Sequence, residues 1–349
     1  MLALDPPAAP CDEAQGLSFV CGADHPEDLA RIPGTRWIVA SGFDAGSGIK
    51  LVDTEAAKLH RWYTGEPAQL APDSVKYPDC PEPPDAALFN AQGMNLRSVS
   101  ETEQLLHVSN HGGREAIEIF RIRAASGDGA PRLAWIGCVP MPQGMAANSV
   151  TSLEDGSILV TVLNRPGTQI ADYVQLRVTG LVYEWQPGSK GFRHVRGADL
   201  PGNNGIEVSK DGKEFYVVAF GWHAVVAFSH TNPAKMLRKA VAPGFMPDNI
   251  HWDGDRLIAA GMQYDEPACG GLRKMVDGKA DPMLCHRGYT VAHLEPKSMT
   301  WSVLAYAEPN PYFNGASTGL VIGDNLWLGS FQSDRIAWRR LPGARPSNP

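Results

Sequence analysis

One phrase returns six times along this chain, and it limits the available folds more than any other feature. Its clearest form is PGNNGIEVSKDGKEFYVVAFGWH, residues 201–223. A polar residue opens a short alternating strand, Asp211-Gly212 supplies a tight turn, and a β-rich apolar strand runs from Phe215 to Phe220. Asn148 opens the same phrase with Asp155-Gly156 at its turn, and Glu27 opens another with Gly34. Gln92 begins a longer version, Asn249 a shorter one and Ser317 the last. A third alternating segment follows each: 48–53, 116–122, 181–186, 224–230, 290–296 and 335–341. A fourth follows five of them, and no helical periodicity competes. Six units of about four antiparallel strands predict an all-β, six-bladed β-propeller. The sixth unit reaches the end of the chain without its outer strand. Residues 17–22, LSFVCG, precede the first unit with no partner of their own, so they are expected to close the ring as that strand and remove an exposed edge. The expected organisation is one domain over 1–349, with an irregular segment at 1–16.

In a propeller the innermost strand of each blade lines the central channel, and all six begin on one face. Their first residues are Glu27, Gln92, Asn148, Asn204, Asn249 and Ser317, with Asp248 one position before Asn249. Asn203 and Gly205 suit the turn, which leaves Asn204 to point into the channel mouth. Two carboxylates and three amides converging on one point make a hard-oxygen cage. Calcium takes 6 to 8 such ligands, whereas magnesium demands a tighter octahedron and zinc would want His or Cys, which these positions lack. Ca²⁺ is therefore the predicted ion. His251, two residues beyond Asn249, is read as a hydrogen-bonded channel residue.

The long irregular segments, 64–91, 165–178, 262–289 and 305–316, lie on the metal face. They carry Tyr173, Tyr264, Tyr312 and Phe313, and shorter loops add His111, Trp222, His223 and Phe331. Insertions gathered over one face predict a walled, partly aromatic pocket. A small-molecule substrate follows. Net charge of −7 without a basic run argues against nucleic acid or an anionic membrane surface. No apolar run approaches the ~20 residues of a membrane span. The opening residues lack the charged and apolar regions of a secretory signal, so a cytoplasmic location is expected, with a periplasmic or secreted one left open. A monomer or small homo-oligomer is expected. Six cysteines stand at 11, 21, 80, 138, 269 and 285 without CxxC spacing, which disfavours structural zinc. Cys138, inside LAWIGCV, reads as an inert core thiol, and Cys269 and Cys285 flank one insertion as a candidate bridge.

These residues resemble the paraoxonase/arylesterase family and, more distantly, the gluconolactonase and strictosidine-synthase-like propellers. HVSNHGGREAIEIFRI (107–122) is similar to the family's second-blade segment around a catalytic histidine. HPEDL (25–29), AANSV (146–150), NNGIEVSKDGKEFYV (203–217) and MPDNIHWD (246–253) are similar to its calcium segments, in the same order. The resemblance covers nearly the whole chain. It implies a catalytic calcium held by Glu27, Asn148, Asn204, Asp248 and Asn249, with His111 as a catalytic residue. It also exposes departures. Gln92 stands where the family carries a second histidine, and Gln263 where it carries a pocket histidine. Of the family's second calcium site, Asp28 and Met94 match, and Ser149 replaces an Asp. No cysteine lies near the C-terminus to form the family's disulfide between its chain ends.

The first functional reading is a calcium-dependent hydrolase of lactones or aryl and alkyl esters. His111, Asp248 and Glu27 would be its catalytic residues, and Gln92, His223, Gln263, Tyr264 and Phe313 would line its pocket. The alternatives are a metal-bearing propeller lyase, isomerase or condensing enzyme, and a non-catalytic ligand-binding propeller. No Ser lies in a GxSxG elbow, which disfavours an α/β-hydrolase mechanism.

Overall fold

A computed structural model describes residues 10–80, 82–125, 129–264 and 286–341, together with the backbone of a short hairpin at 275–276 and 279–280. Six four-stranded antiparallel sheets form the six blades of a β-propeller. From the channel outward, blade 4 runs Asn203–Val208, Glu214–Ala219, Ala224–Ser229 and Met236–Val241. The other blades follow the same order. Among the described residues the only α-helix is a single turn and a half, Ile170–Val174. No helix there is long and apolar enough to cross a membrane.

The turn chemistry explains why the repeated phrase folds as it does. In blade 4 the Asp211 side chain accepts from the Lys213 N–H at 3.2 Å, and in blade 3 Asp155 does the same for Ser157 at 2.8 Å. Each strand then returns beside the last and buries its alternating apolar residues against the next blade. Between blades 3 and 4, for example, Leu159, Val182, Ile206, Phe215, Val217 and Phe228 form one continuous cluster.

The ring closes as the sequence predicts. Ser18–Cys21 pairs antiparallel with Arg335–Arg340, in the register Ser18 to Trp338 and Cys21 to Arg335. The Arg335 guanidinium is buried, lies over the Phe19 ring and donates to the Pro10 carbonyl at 3.1 Å. A disulfide between Cys11 and Cys21 ties the preceding segment to the closing strand.

A second disulfide overturns the reading of Cys138 as an inert thiol: it is bonded to Cys80. Gly137 explains the approach. A Cβ there would lie 2.4 Å from the Tyr77 ring, so only glycine lets the 64–90 loop lie flat on this strand and bring Cys80 within 5.3 Å, Cα to Cα. Cys269 and Cys285 lie outside the described residues.

Deleting residues 1–22 is expected to lower the melting temperature of the whole ring, because it opens the last blade and bares the Arg335–Arg340 edge. Replacing Cys11 and Cys21 by Ser should have the smaller effect, a loss of about 2–3 kcal/mol for so short a loop. Thermal unfolding of the three proteins decides. A deletion variant that melts with the full chain would place the closure elsewhere.

Candidate metal centre and pocket

The inner strands do not start cleanly. Pairing slips between Ala91 and Met94 in blade 2, between Asn203 and Ile206 in blade 4 and between Pro247 and Ile250 in blade 5. The residues inside these bulges are Gln92-Gly93, Asn204-Gly205 and Asp248-Asn249. A bulge bends the strand and re-aims a side chain. Here it occurs where each strand reaches the channel mouth. Gly205 shows how close the blades come. A Cβ there would lie 2.5 Å from the Asp248 carbonyl oxygen, and one on Gly93 would lie 2.5 Å from that of Asn148. The glycine after the inward residue lets the neighbouring ring member sit against the backbone.

The doublet Asn203-Asn204 divides its labour. Asn203 Oδ1 accepts from the Leu200 N–H at 2.9 Å, and its Nδ2 donates to the Ala198 carbonyl at 2.8 Å, so its side chain is spent on the turn. Asn204 Oδ1 is buried and has no hydrogen-bond partner. The same holds for Asn148 Oδ1, Asn249 Oδ1 and Glu27 Oε2. Asn249 Nδ2 donates to Glu27 Oε1 at 2.7 Å, which turns its own oxygen away from Glu27 Oε1. Ser317 Oγ donates to the Glu27 carbonyl at 2.6 Å rather than offering its oxygen to the mouth. Burial, then repulsion from Asp28 and Asp248, push the Glu27 carboxyl well above its usual range, against the opposing hydrogen bond from Asn249. Three amide oxygens and one Glu27 carboxylate oxygen, all buried without donors, with the Asp248 carboxylate close enough to repel Glu27, fit a hard cation. The donor set is all oxygen, mixes charged and neutral groups and suits Ca²⁺ best.

The second-ion expectation meets a different arrangement. Both Asp28 oxygens are engaged: Oδ1 by His251 Nε2 at 2.7 Å and by the Leu29 N–H at 2.9 Å, and Oδ2 by the Met94 N–H at 2.8 Å. Met94 thus presents its N–H to Asp28, and the His251 imidazole stands beside the carboxylate expected to hold a second ion. Burial pulls the His251 pKa down, but Asp28 and then Glu207 outweigh it and the net direction is upward. Deeper in the channel, burial pushes the Glu207 carboxyl up to about 7. At Cys80, Glu118 and Cys138, three potential ligands also meet. The sulfurs are bonded to each other, and Glu118 is filled by Arg114, Trp135 and Asn110.

Above the ring lies a pocket of about 340 Å³. Its floor is Glu27, Asn148, Asn204 and Asp248; Gln92, His111 and Asn164 add polar groups, and Phe43, Leu163, Tyr173, Phe220 and Phe331 form apolar walls. His111 Nδ1 lies 2.7 Å from Glu115 Oε2, while His111 Nε2 is buried without a partner. Several sequence-predicted lining residues sit elsewhere. Phe313 is buried edge-on to Tyr289 between blades, because Asn310 Oδ1 accepts the Tyr312 and Phe313 N–H groups and turns the chain inward. Gln263 Nε2 faces the Tyr289 and Ala307 carbonyls of its own blade, each at 3.4 Å. His223 stacks on Tyr264 at 4.6 Å, and Tyr264 packs behind the Tyr173 and Phe220 wall. Trp222 packs in the cluster between blades 3 and 4, with Lys239 over its ring. Phe43, Leu163, Asn164 and Phe220 were not singled out from sequence. Each lies at or just beyond the end of a second strand, and that shared repeat position was the available signal.

No protein-family model matches this chain, and no curated protein matches it in sequence. Solved structures do match in shape. A luciferin-regenerating enzyme is 12% identical over 93% of both chains, with a TM-score of 0.51. A protein provisionally named a gluconolactonase is 12% identical over 93% of this chain and 92% of its own, at 0.52. Regucalcin from Agrobacterium tumefaciens, described as a calcium-binding protein, is 11% identical over 93% of this chain and 92% of its own, at 0.50. At these identities the likeness is one of fold.

Calcium at 100 times its dissociation constant should stabilise the native state by about 2.7 kcal/mol. The melting temperature should rise accordingly, fall on chelation, and respond far less in Asn204→Leu. Calorimetric scans with calcium and with chelator test this. Identical scans in both would contradict a cation at the ring.

Proposed function

We propose that this protein is a calcium-dependent hydrolase that opens lactones or cleaves aryl and alkyl esters. The observation that carries the reading is the meeting of two features at one place. Buried oxygens of Glu27, Asn148, Asn204 and Asn249 lack donors, and Glu27, Asn148 and Asn204 line, with Asp248 and His111, a largely apolar pocket. Glu27, Asn148, Asn204, Asp248 and Asn249 would hold the ion. When bound, calcium supplies Lewis-acid stabilisation of negative charge on a carbonyl oxygen.

The chain's own residues supply the rest. Phe43, Leu163, Tyr173, Phe220 and Phe331 accept the hydrocarbon part of a substrate and exclude bulk water, which strengthens every charge interaction at the floor. Gln92 and Asn164 can each donate or accept a hydrogen bond and so orient the ring oxygen or leaving group. His111 lines this space, its Nε2 has no competing hydrogen-bond partner, and it takes the proton of the attacking water. The neighbouring propellers named for gluconolactonase activity and for calcium binding agree with this reading at the level of fold. The two disulfides favour an oxidising compartment over the cytoplasm.

A panel of γ- and δ-lactones and aryl esters, assayed in calcium and in chelator, tests the proposal. Hydrolysis should require calcium and return when calcium is restored. His111→Gln should lose a general base's share, about 10²–10⁴-fold. Asp248→Asn should lose more, because ion and orientation go together. Turnover indifferent to chelator, or none across the panel, would contradict the proposal.

A further inference from the structure

His111 stands at the start of a short loop between the second and third strands of blade 2, and both sides of that loop are pinned. The His111 N–H donates to the Asn90 carbonyl at 3.0 Å. Asn110 Oδ1 accepts from the Gly112 N–H at 2.8 Å, and Asn110 Nδ2 donates to buried Glu118 at 3.1 Å. Arg114 forks onto Glu118 with two bonds of 2.8 Å and reaches the Glu82 carbonyl at 2.9 Å. These contacts place the His111 backbone but leave the ring free to rotate. One contact fixes the ring: Glu115, the last residue before the third strand, lies 2.7 Å from Nδ1.

We propose that Glu115 is the positioning residue of the site, holding His111 in the tautomer that presents Nε2 as the proton acceptor. This rests on the reading of His111 as the base. An ionised carboxylate only accepts hydrogen bonds, so the proton on the neutral ring sits on Nδ1 and the lone pair on Nε2. Nε2 is the nitrogen that is buried without a partner and belongs to the pocket-lining side chain. A free imidazole shares its proton between both nitrogens, and no second histidine lines this pocket to bias it, since Gln92 occupies that wall. Glu115 itself is 40% exposed at the side chain and lies outside the pocket lining, so it acts through the ring and not on the substrate.

In the step this serves, the water oxygen bonds to the carbonyl carbon as Nε2 takes its proton, while Nδ1–H stays bonded to ionised Glu115. The carbon–oxygen bond to the leaving alkoxide then breaks, and the proton passes from Nε2 to that oxygen. Atoms and charge balance without a further reactant.

The test is ¹⁵N NMR of the histidine-labelled, calcium-loaded full chain at a pH of about 8, where an ordinary imidazole is neutral. The His111 ring is assigned by its loss in His111→Gln. The wild type should show Nδ1 protonated and Nε2 bare. Glu115→Ala should move the proton toward Nε2 and lower kcat by up to about 10²-fold, the low end of a general base's share, with KM nearly unchanged. Glu115→Gln, whose amide oxygen can still accept from Nδ1, should restore the tautomer and much of kcat. A proton resting on Nε2 in the wild type, or a Glu115→Ala protein with unaltered tautomer, overturns the proposal. So does a tautomer that shifts with kcat unmoved. If the wild type hydrolyses nothing while the tautomer shift holds, Glu115 still sets the ring and the hydrolase reading fails instead.

Discussion

Six strands that begin around one axis bring more oxygen atoms to a point than the surrounding chain can supply with donors. That shortage governs the rest of the molecule. A buried polar atom left without a partner costs about 1–3 kcal/mol. Glu27, Asn148, Asn204 and Asn249 each contribute one, next to a Glu27 carboxyl already strained by Asp28 and Asp248. The divalent cation proposed here would remove all of these penalties together. The bulges and the glycines at 93 and 205 serve the same end, because they let neighbouring inner strands approach closely at the mouth.

The two carboxylates at the first inner strand have opposite fates. Glu27 leaves an oxygen unsatisfied at the mouth, while Asp28, the next residue, points the other way down the alternating strand and is satisfied by His251, Leu29 and Met94. One residue of register separates the proposed metal ligand Glu27 from the hydrogen-bonded carboxylate of Asp28. The channel is therefore polarised, with a cation-seeking mouth under the pocket and a self-satisfied network of Asp28, His251, Glu207 and Thr151 beneath it.

The fold was legible because the repeat was. Six copies of one phrase define blades without any long-range information, and the unpaired Ser18–Cys21 strand had one open place to go. The inward strand starts were legible for the same reason, since equivalent positions in a closed ring must converge. What sequence could not carry is contact between residues that no periodicity relates. Cys80 meets Cys138 across a separation of 58 because Tyr77 lies flat on Gly137. His111 meets Glu115 at a helix-like spacing in a loop that is not a helix, so no pattern announces the pair. Phe313 was assigned to the pocket from loop membership, and Gln263 from a resemblance at its position. A loop's position says little about which way its side chains turn, and here Asn310 and the strand ends turned them inward.

The central claim is that the strand starts form one cation site. The most direct measurement is an anomalous difference map from a crystal grown with calcium, collected where calcium scatters anomalously. The account predicts one strong peak on the channel axis at the pocket floor, within about 2.3–2.6 Å of Glu27 Oε2 and the Asn148, Asn204 and Asn249 side-chain oxygens, with no second peak beside Asp28. A floor without a peak, or one bonded through Asp28 and the Met94 carbonyl instead, would contradict it.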